Sequence, residues 1–342
     1  YQYGSINKIA EHFGTLMSVQ DSAISLHYIN ERTAITPDAG RQVIIGNGDV
    51  LNPIQKVISS GMGSQHQWSI IASDGAKYGV DVFKRKIWRV IGEQVEAISD
   101  SKNAKSKITG ITRDFISDQT DIANRFPDQP AFPLSLGIAS YFDRRHKEIG
   151  WTFITRKDNR DRKITIVFNE NIDAFQGENT YNSRFYITNN SDFISFDPDN
   201  LEDAYMHDIV SDRLYYYDRD EREFMEVDFV SNKDAEFPKI FDNVEISSFG
   251  FPFNSIEFYT EYQQASKPWN ENTPYKDPVW IENKWKVPVP RTQVSLGPPG
   301  SNLQYFQGSR IRGKWMRVKL KYNLGDKTYI RDIITKQRIS HT

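Results

Sequence analysis

The sequence predicts an all-β fold: β-propeller-like four-stranded blades, a C-terminal β unit and a few short helices. Three observations predict it. Aromatic residues make up 13% of the 342 residues, with 17 Tyr and 21 Phe, and such side chains favour pleated, half-buried surfaces. Apolar residues recur with a period of two over 67–99 and 137–175, broken by short polar turns. Cysteine is absent. Disulfides, thiolate metal sites and a Cys nucleophile are thereby excluded, and stability falls to burial and sheet hydrogen bonds.

Along the chain, residues 1–48 read as short strands with turns, Asn30–Arg32 being one of them. Asn52 suits a helix N-cap and Pro53 the first helical position. Ile54, Val57 and Ile58 share a helical face, so a short helix is expected before Gly61. Trp68–Ser73 then reads as a strand and Asp74-Gly75 as a tight turn. Tyr78–Val82, Ile87–Val90 and Val95–Ser99 complete a four-stranded antiparallel unit of the length of one propeller blade. One such sheet cannot bury both faces alone, so it needs neighbours.

A connecting helix is expected near 107–126, from the stripe of Ile108, Ile111, Phe115, Ile122 and Phe126; Pro127, Pro130 and Pro133 end it. A second four-strand unit follows: Ile138–Phe142, a strand carrying Trp151 and Phe153, a polar loop at Asp158–Asp161, the alternation of Ile164, Ile166 and Phe168, and Ile172–Phe175. Further strands are expected at Phe185–Thr188, Phe193–Phe196, Leu214–Tyr217, Phe224–Phe229 and Val244–Ser247. The segment 251–309 reads as long loops with short strands. At the end, Met316–Tyr322 and Tyr329–Ile334 read as a basic β-hairpin. The domain reading is therefore 1–62, N-terminal strands with a short helix; 63–250, propeller-like blades with the connecting helix; and 251–342, a loop-rich segment with the hairpin. Two blades are too few to close a propeller, so the loose strands or residues outside this chain would supply the rest.

Formal charge is −2, so no global field selects nucleic acid or membrane. The distribution is uneven. Residues 190–245 hold 17 acids against 5 bases, and residues 284–342 hold 13 bases against 2 acids. Such segments can pair within a subunit, pair between neighbours in a head-to-tail ring, or remain solvated. Alternatively, Arg310, Arg312, Lys314, Arg317, Lys319 and Lys321 could line a channel for DNA, through sequence-blind, salt-sensitive contacts. No stretch approaches bilayer-spanning length, so no membrane span is expected. Tyr1 stands first and no leader follows, so the chain is expected to be a processed product or part of a longer polypeptide.

Chemical motifs are sparse. His12, His27, His66, His146, His207 and His341 lie far apart and lack metal-ligand spacing. The run Phe196–Ala204 crowds Asp197, Asp199, Glu202 and Asp203. Oxygen ligands at alternate positions could hold calcium, but the glycine and distal glutamate of an EF-hand loop are missing, which favours a solvated acidic loop. Asp74, Asp81 and Asp143 lie near sheet turns, where a propeller glycosidase could use an acid/base pair; among 45 acidic residues such candidates arise by chance. Trp68, Trp88, Trp151 and Trp315 are expected in strands as core, while Trp269, Trp280 and Trp285 in the loop-rich region could bind a partner or a sugar if exposed, core use being the favoured reading. No catalytic, cofactor or metal residue is assigned.

The stretch GSQHQWSIIASDGAKYGVDVFKRKIWRV (Gly63–Val90) resembles the blade motif of tail muzzle, or nozzle, proteins of crAss-like phages, the short-tailed phages of gut Bacteroidales. YFDRRHKEIGWTFI and ITIVFNENIDAFQGENTY are similar to the next segment of that family. KIFDNVEISS, RIRGKWMRVKLKY and IRDIITKQRIS are similar to its C-terminal part. The closing Arg-Gly-Lys strand and basic return strand also resemble nozzle proteins of other short-tailed phages. The resemblance implies a structural, non-enzymatic virion protein of the tail, without cofactors. It implies a homo-oligomeric ring of six copies at the distal end, contact with other tail proteins such as the hub and fibres, and a conduit for genome ejection with transient, non-specific DNA contact. A carbohydrate-binding or carbohydrate-cleaving propeller acting on host surface glycans is the alternative.

Overall fold

The computed structural model describes residues 2–28, 33–35, 43–45, 55–117, 137–157, 160–180, 182–188, 193–197, 202–207, 225–249, 253–268, 278–291, 309–322 and 329–340. The fold is all-β with short helices. The chain divides into two compact units, Tyr1–Ile209 and Val210–Thr342.

The first unit is a series of antiparallel sheets in chain order. The first holds β1 (Ile6–His12), β2 (Thr15–Gln20) and β3 (Ile24–His27); after a ribbon of β4 (Thr33–Ile35) and β5 (Val43–Ile45), β6 (Lys56–Ser59) pairs with β3. The second holds β7 (Ile71–Ala72), β8 (Lys77–Asp81), β9 (Lys86–Ile91) and β10 (Gln94–Glu96). Helices α1 (Ile98–Ser101) and α2 (Lys105–Ser117) follow. The third sheet holds β11 (Gly137–Asp143), β12 (Glu148–Lys157), β13 (Arg160–Asn169) and β14 (Ala174–Asn179). The fourth has three strands, β15 (Tyr186–Thr188), β16 (Phe193–Phe196) and β17 (Ala204–Met206).

Period-two alternation explains how these sheets stack. In the second sheet, Trp88 and Val90 point to one face and pack with Met17, Val19, Ile24 and Leu26 of the first. Tyr78, Val80 and Ile87 point to the other face and pack with Trp151, Phe153, Ile166 and Phe168 of the third. The third sheet turns Ala139 and Tyr141 the opposite way, onto Tyr186 and Phe193 of the fourth. Both faces of the second and third sheets are thus buried, which is why their strands read as aromatic on both sides. Ile108 and Ile111 of α2 join the core between these two sheets.

Two glycines make the close packing possible. A Cβ at Gly79 would run into the Trp88 indole, its cross-strand partner. A Cβ at Gly150 would run into the ring of its partner Tyr141. The indole N–H groups are satisfied: Trp88 donates to Gly63 O at 2.6 Å and Trp151 to Ser69 O at 3.0 Å.

One hairpin design recurs three times in this unit. Asp81, Asp143 and Asn169 each end a strand, and the next strand resumes five residues later. The side-chain Oδ1 accepts backbone N–H groups of the loop: from Lys84 at Asp81, from Arg145 and His146 at Asp143, and from Asn171 and Ile172 at Asn169. Four residues on, Arg85, Lys147 and Asp173 adopt φ of 58°, 57° and 50°, the left-handed residue that closes such a loop.

The second unit packs two sheets around one core. One runs β18 (Met225–Ser231), β25 (Met316–Tyr322), β20 (Ser255–Tyr259) and β21 (Gln264–Pro268). The other centres on β19 (Lys239–Phe249), flanked by β23 (Lys284–Pro288) with β22 (Val279–Ile281) and β24 (Arg312–Gly313) on one side, and by β26 (Tyr329–Ile339) on the other. Ile256, Phe258, Met316, Val318 and Leu320 from the first sheet meet Phe241, Val244, Ile246 and Val287 from the second.

Several sequence expectations are corrected. The expected helix at Asn52–Ile58 gives way to strand β6; β-branched Val57 and Ile58 suit the ladder with β3. The strand expected at Trp68–Ser73 is a 3-10 turn, Gln67–Ser69, before the two-residue β7. The strand expected at Val95–Ser99 ends at Glu96. Ile98 enters the core through α1, and Ser99 Oγ accepts the Ile87 N–H at 3.2 Å. The connecting helix is seen over Lys105–Ser117; Ile122, Phe126 and the prolines lie outside the described residues. Arg160 and Asp161 lie in β13 rather than in a loop.

The C-terminal hairpin is also overturned. β25 and β26 both form, but β25 pairs with β18 and β20 while β26 pairs with β19. Pairing the two basic strands would oppose like charges; these partners carry acids. The expected strand Leu214–Tyr217 lies outside the described residues.

Candidate functional site

The most organised surface chemistry belongs to β25 and its neighbours. Met316, Val318 and Leu320 point into the core, so Arg317, Lys319 and Lys321 line the opposite face. Glu226 and Asp228 of β18 and Glu257 of β20 flank them. Each base reaches diagonally, two positions from its direct partner. Arg317 Nε donates to both Asp228 oxygens at 2.8 and 3.0 Å, Lys319 Nζ meets Glu226 at 2.8 Å and Lys321 Nζ meets Glu257 at 3.3 Å. The Asp228 carboxylate holds Arg317 above its usual range and Glu226 does the same for Lys319. Arg310 approaches Asp242 at 3.6 Å, and in β26 Arg338 and Lys336 approach Asp242 and Glu245 at 3.4 and 3.8 Å. The Lys314 N–H donates to Glu261 at 3.1 Å, and Arg312 is exposed. Acids of β18 and β19 and bases of the C-terminal segment therefore meet within the second unit. The acid partners were foreshadowed by Glu226-Val227-Asp228-Phe229 and Ile256-Glu257-Phe258, where polar and apolar residues alternate.

The three turn carboxylates are each engaged in architecture. Asp74 bridges Arg144 at 2.7 Å and Lys147 at 2.5 Å, and its bond with Lys147 holds its carboxyl below the usual range. Buried Asp81 accepts N–H groups from Gly63, Gln65 Nε2 and Lys84. Asp143 caps its hairpin and meets His146 Nδ1 at 2.7 Å. Opposite it on β12, burial raises the Glu148 carboxyl. A latch that the sequence did not signal joins the second and third sheets: Asp173 binds Arg89 at 2.9 Å and also Lys102, while Tyr78 donates to Glu170 at 2.7 Å.

Asp197 is buried and its N–H donates to Asp203 O at 3.0 Å; Glu202 and Asp203 are exposed, and Asp199 lies outside the described residues. Among the described residues no cluster of three His, Asp or Glu is placed to hold a metal ion. The histidines are dispersed. His12 bonds Gly92 O at 2.6 Å, His27 bonds Ser18 Oγ and His207 bonds Ser195 Oγ. His66 is buried, and burial lowers its pKa to about 4. His341 lies outside the described residues.

Trp88 and Trp151 are core, as expected. Trp68 is exposed in the 3-10 turn and stacks edge-on against Phe185; Trp315 is half-buried just before β25, so neither is a buried strand residue. Trp280 is exposed and meets Trp285 edge-to-face at 5.0 Å, an arrangement unlike the open flat platform that stacks on sugars. Trp269 lies outside the described residues. A shallow hollow of about 570 Å³ is lined by Gln2–Ile6, Gln20 and Gln55, with no carboxylate, histidine or lysine on its wall. Among the described residues no helix is long and apolar enough to cross a membrane.

Residues 2–199 match the family model of the Crassvirus muzzle protein, and residues 211–292 match that of the Crassvirus muzzle protein C-terminal domain. No curated protein matches the chain.

Proposed function

The chain belongs to the Crassvirus muzzle protein family, a structural component of the virion tail, and from that premise we propose that it builds the wall of a ring at the distal end of the tail. In this reading six copies enclose a conduit for genome ejection, and the outer surface docks the hub, fibres and other tail proteins. The first unit contributes propeller-like blades. The observation that carries the reading is the sheet stack of the first unit. Its inner sheets are buried on both faces and latched by Asp173, Glu170 and Asp74. A stack of this kind is stiff in compression and suits a wall better than a hinged cleft.

The ion-paired face of β25 fits passage of DNA. A wall of unpaired bases would hold phosphates and slow release, whereas bases already paired with carboxylates leave contacts weak, transient and sequence-blind. No catalytic step is assigned, because the carboxylates that could have formed an acid/base pair support turns and sheet contacts. Cryo-electron microscopy of the virion tests the reading. A closed ring of this chain at the tail's distal end is the expected result; a single copy, or a position away from the tail axis, defeats it.

A further inference from the structure

Resting on the ring reading, we propose that neighbouring copies join edge to edge through one sheet of the second unit, with β22 of one copy pairing antiparallel to β26 of the next. Across that sheet the strands run β22, β23, β19, β26, each antiparallel to its neighbour. Four alternating strands leave the two outermost ones pointing in opposite directions. A copy rotated about an axis along the strands therefore brings its β22 antiparallel to the preceding β26. The contact is head-to-tail, the kind that closes rings.

β22 is unusually apolar for an edge, which soluble proteins commonly guard with charge, and β26 sets Ile333, Ile334 and Ile339 among its charged residues. On β22, Val279, Trp280 and Ile281 are 38%, 45% and 45% exposed. On β26, Ile334 is 37% exposed and Ile333 lies at the margin of the core. Among the described residues β22 pairs only with β23 and β26 only with β19.

The faces agree as well. Val279, Lys286, Glu245 and Ile334 form one cross-strand row, so Val279 and Ile334 share the outer face. Trp280 stacks on Trp285, which packs on the same core as Ile333, so these share the inner face. Placing Val279 opposite Ile334 puts Trp280 opposite Ile333 and Glu282 opposite Arg331. Glu282 is exposed at the hairpin tip, where Lys286 Nζ meets one of its carboxylate oxygens at 3.1 Å and the other is left for a neighbour, and exposed Arg331 has no ion-pair partner among the described residues. The tip is held rigid by Glu282 and Asn283 at φ of 56° and 60°, the two-residue turn that matches strand twist.

The lack of cysteine makes the test clean. Full-length chain carrying Val279→Cys together with Ile334→Cys is oxidised and separated under denaturing conditions, and the mass of wild-type assemblies is measured in parallel. Facing pairs on antiparallel strands lie within disulfide reach. A ladder of covalent multimers, absent from both single variants, is expected. Charge reversal Glu282→Arg is expected to weaken assembly about fivefold, with recovery on adding Arg331→Glu. Wild-type rings without a ladder would overturn the edge contact and leave the ring reading intact. Covalent dimers of the single Val279→Cys variant would mean β22 meets β22, and would overturn it too. A wild-type chain that stays monomeric would remove both.

Discussion

At the scale of single residues, packing and protonation carry the clearest consequences. Gly79 and Gly150 lie under Trp88 and Tyr141, so Gly79→Ala and Gly150→Ala must displace a buried ring. Overpacking of this kind costs about 1–3 kcal/mol, and a matching fall in unfolding free energy in urea is expected for each. A change within error would show that the rings have room to move. His66 offers a test by pH. Burial lowers its pKa from 6.5 to about 4 in the folded chain. Between these values the unfolded chain binds a proton that the folded chain refuses, so stability falls as pH drops from about 6.5 towards 4. The full loss is about 3 kcal/mol. Urea midpoints at pH 7.5 and 4.5, compared with those of His66→Gln, isolate this contribution; equal pH dependence in both proteins would refute it. Neither position stood out in the sequence. Gly79 and Gly150 sit within strand patterns, and only the register shows which aromatic side chain crosses each one.

At the scale of elements, the alternation of apolar and polar residues was legible in the hairpins at the centre of the second and third sheets. β8, β9, β11, β12 and β13 follow that pattern, whereas β20–β21 and β22–β23, also sequence neighbours, are not individually located in a segment that reads as loop-rich. Strands that pair at long range were harder. β25 and β26 are both visible in the sequence, yet their partners on β18, β19 and β20 lie about 60 to 100 residues away, and nothing local encodes that choice. Charge supplies the missing reason: Arg317, Lys319 and Lys321 find Asp228, Glu226 and Glu257 rather than the bases of β26. Exposed, solvent-screened pairs of this sort contribute little to stability, so the sheet survives their loss. Neutralising the acids by Glu226→Gln, Asp228→Asn and Glu257→Gln exposes three unpaired bases. Stronger binding to double-stranded DNA is expected, with the logarithmic salt slope steeper by about 3. Unchanged binding by filter or fluorescence titration would mean this face does not meet DNA.

At the scale of the whole molecule, the opposed charge segments could have served as the glue between copies. Instead, the acids Glu226, Asp228, Asp242 and Glu245 of β18 and β19 meet the bases Arg310, Arg317, Lys319, Lys336 and Arg338 within the second unit. These charges are engaged within the chain, which places the burden of assembly in the second unit on apolar surface and sheet edges. Assembly should then respond weakly to salt. Surface ion pairs are screened within a Debye length of about 10 Å at 0.1 M and about 3 Å at 1 M, whereas apolar burial is not weakened by salt. Measured by light scattering, the dissociation constant between copies should change by less than about tenfold, or about 1.4 kcal/mol, between 0.1 and 1 M NaCl. A steep loss of assembly over that range would show that the acidic and basic strands exchange their partners between copies, and that the pairing seen within one chain is only one of two alternatives.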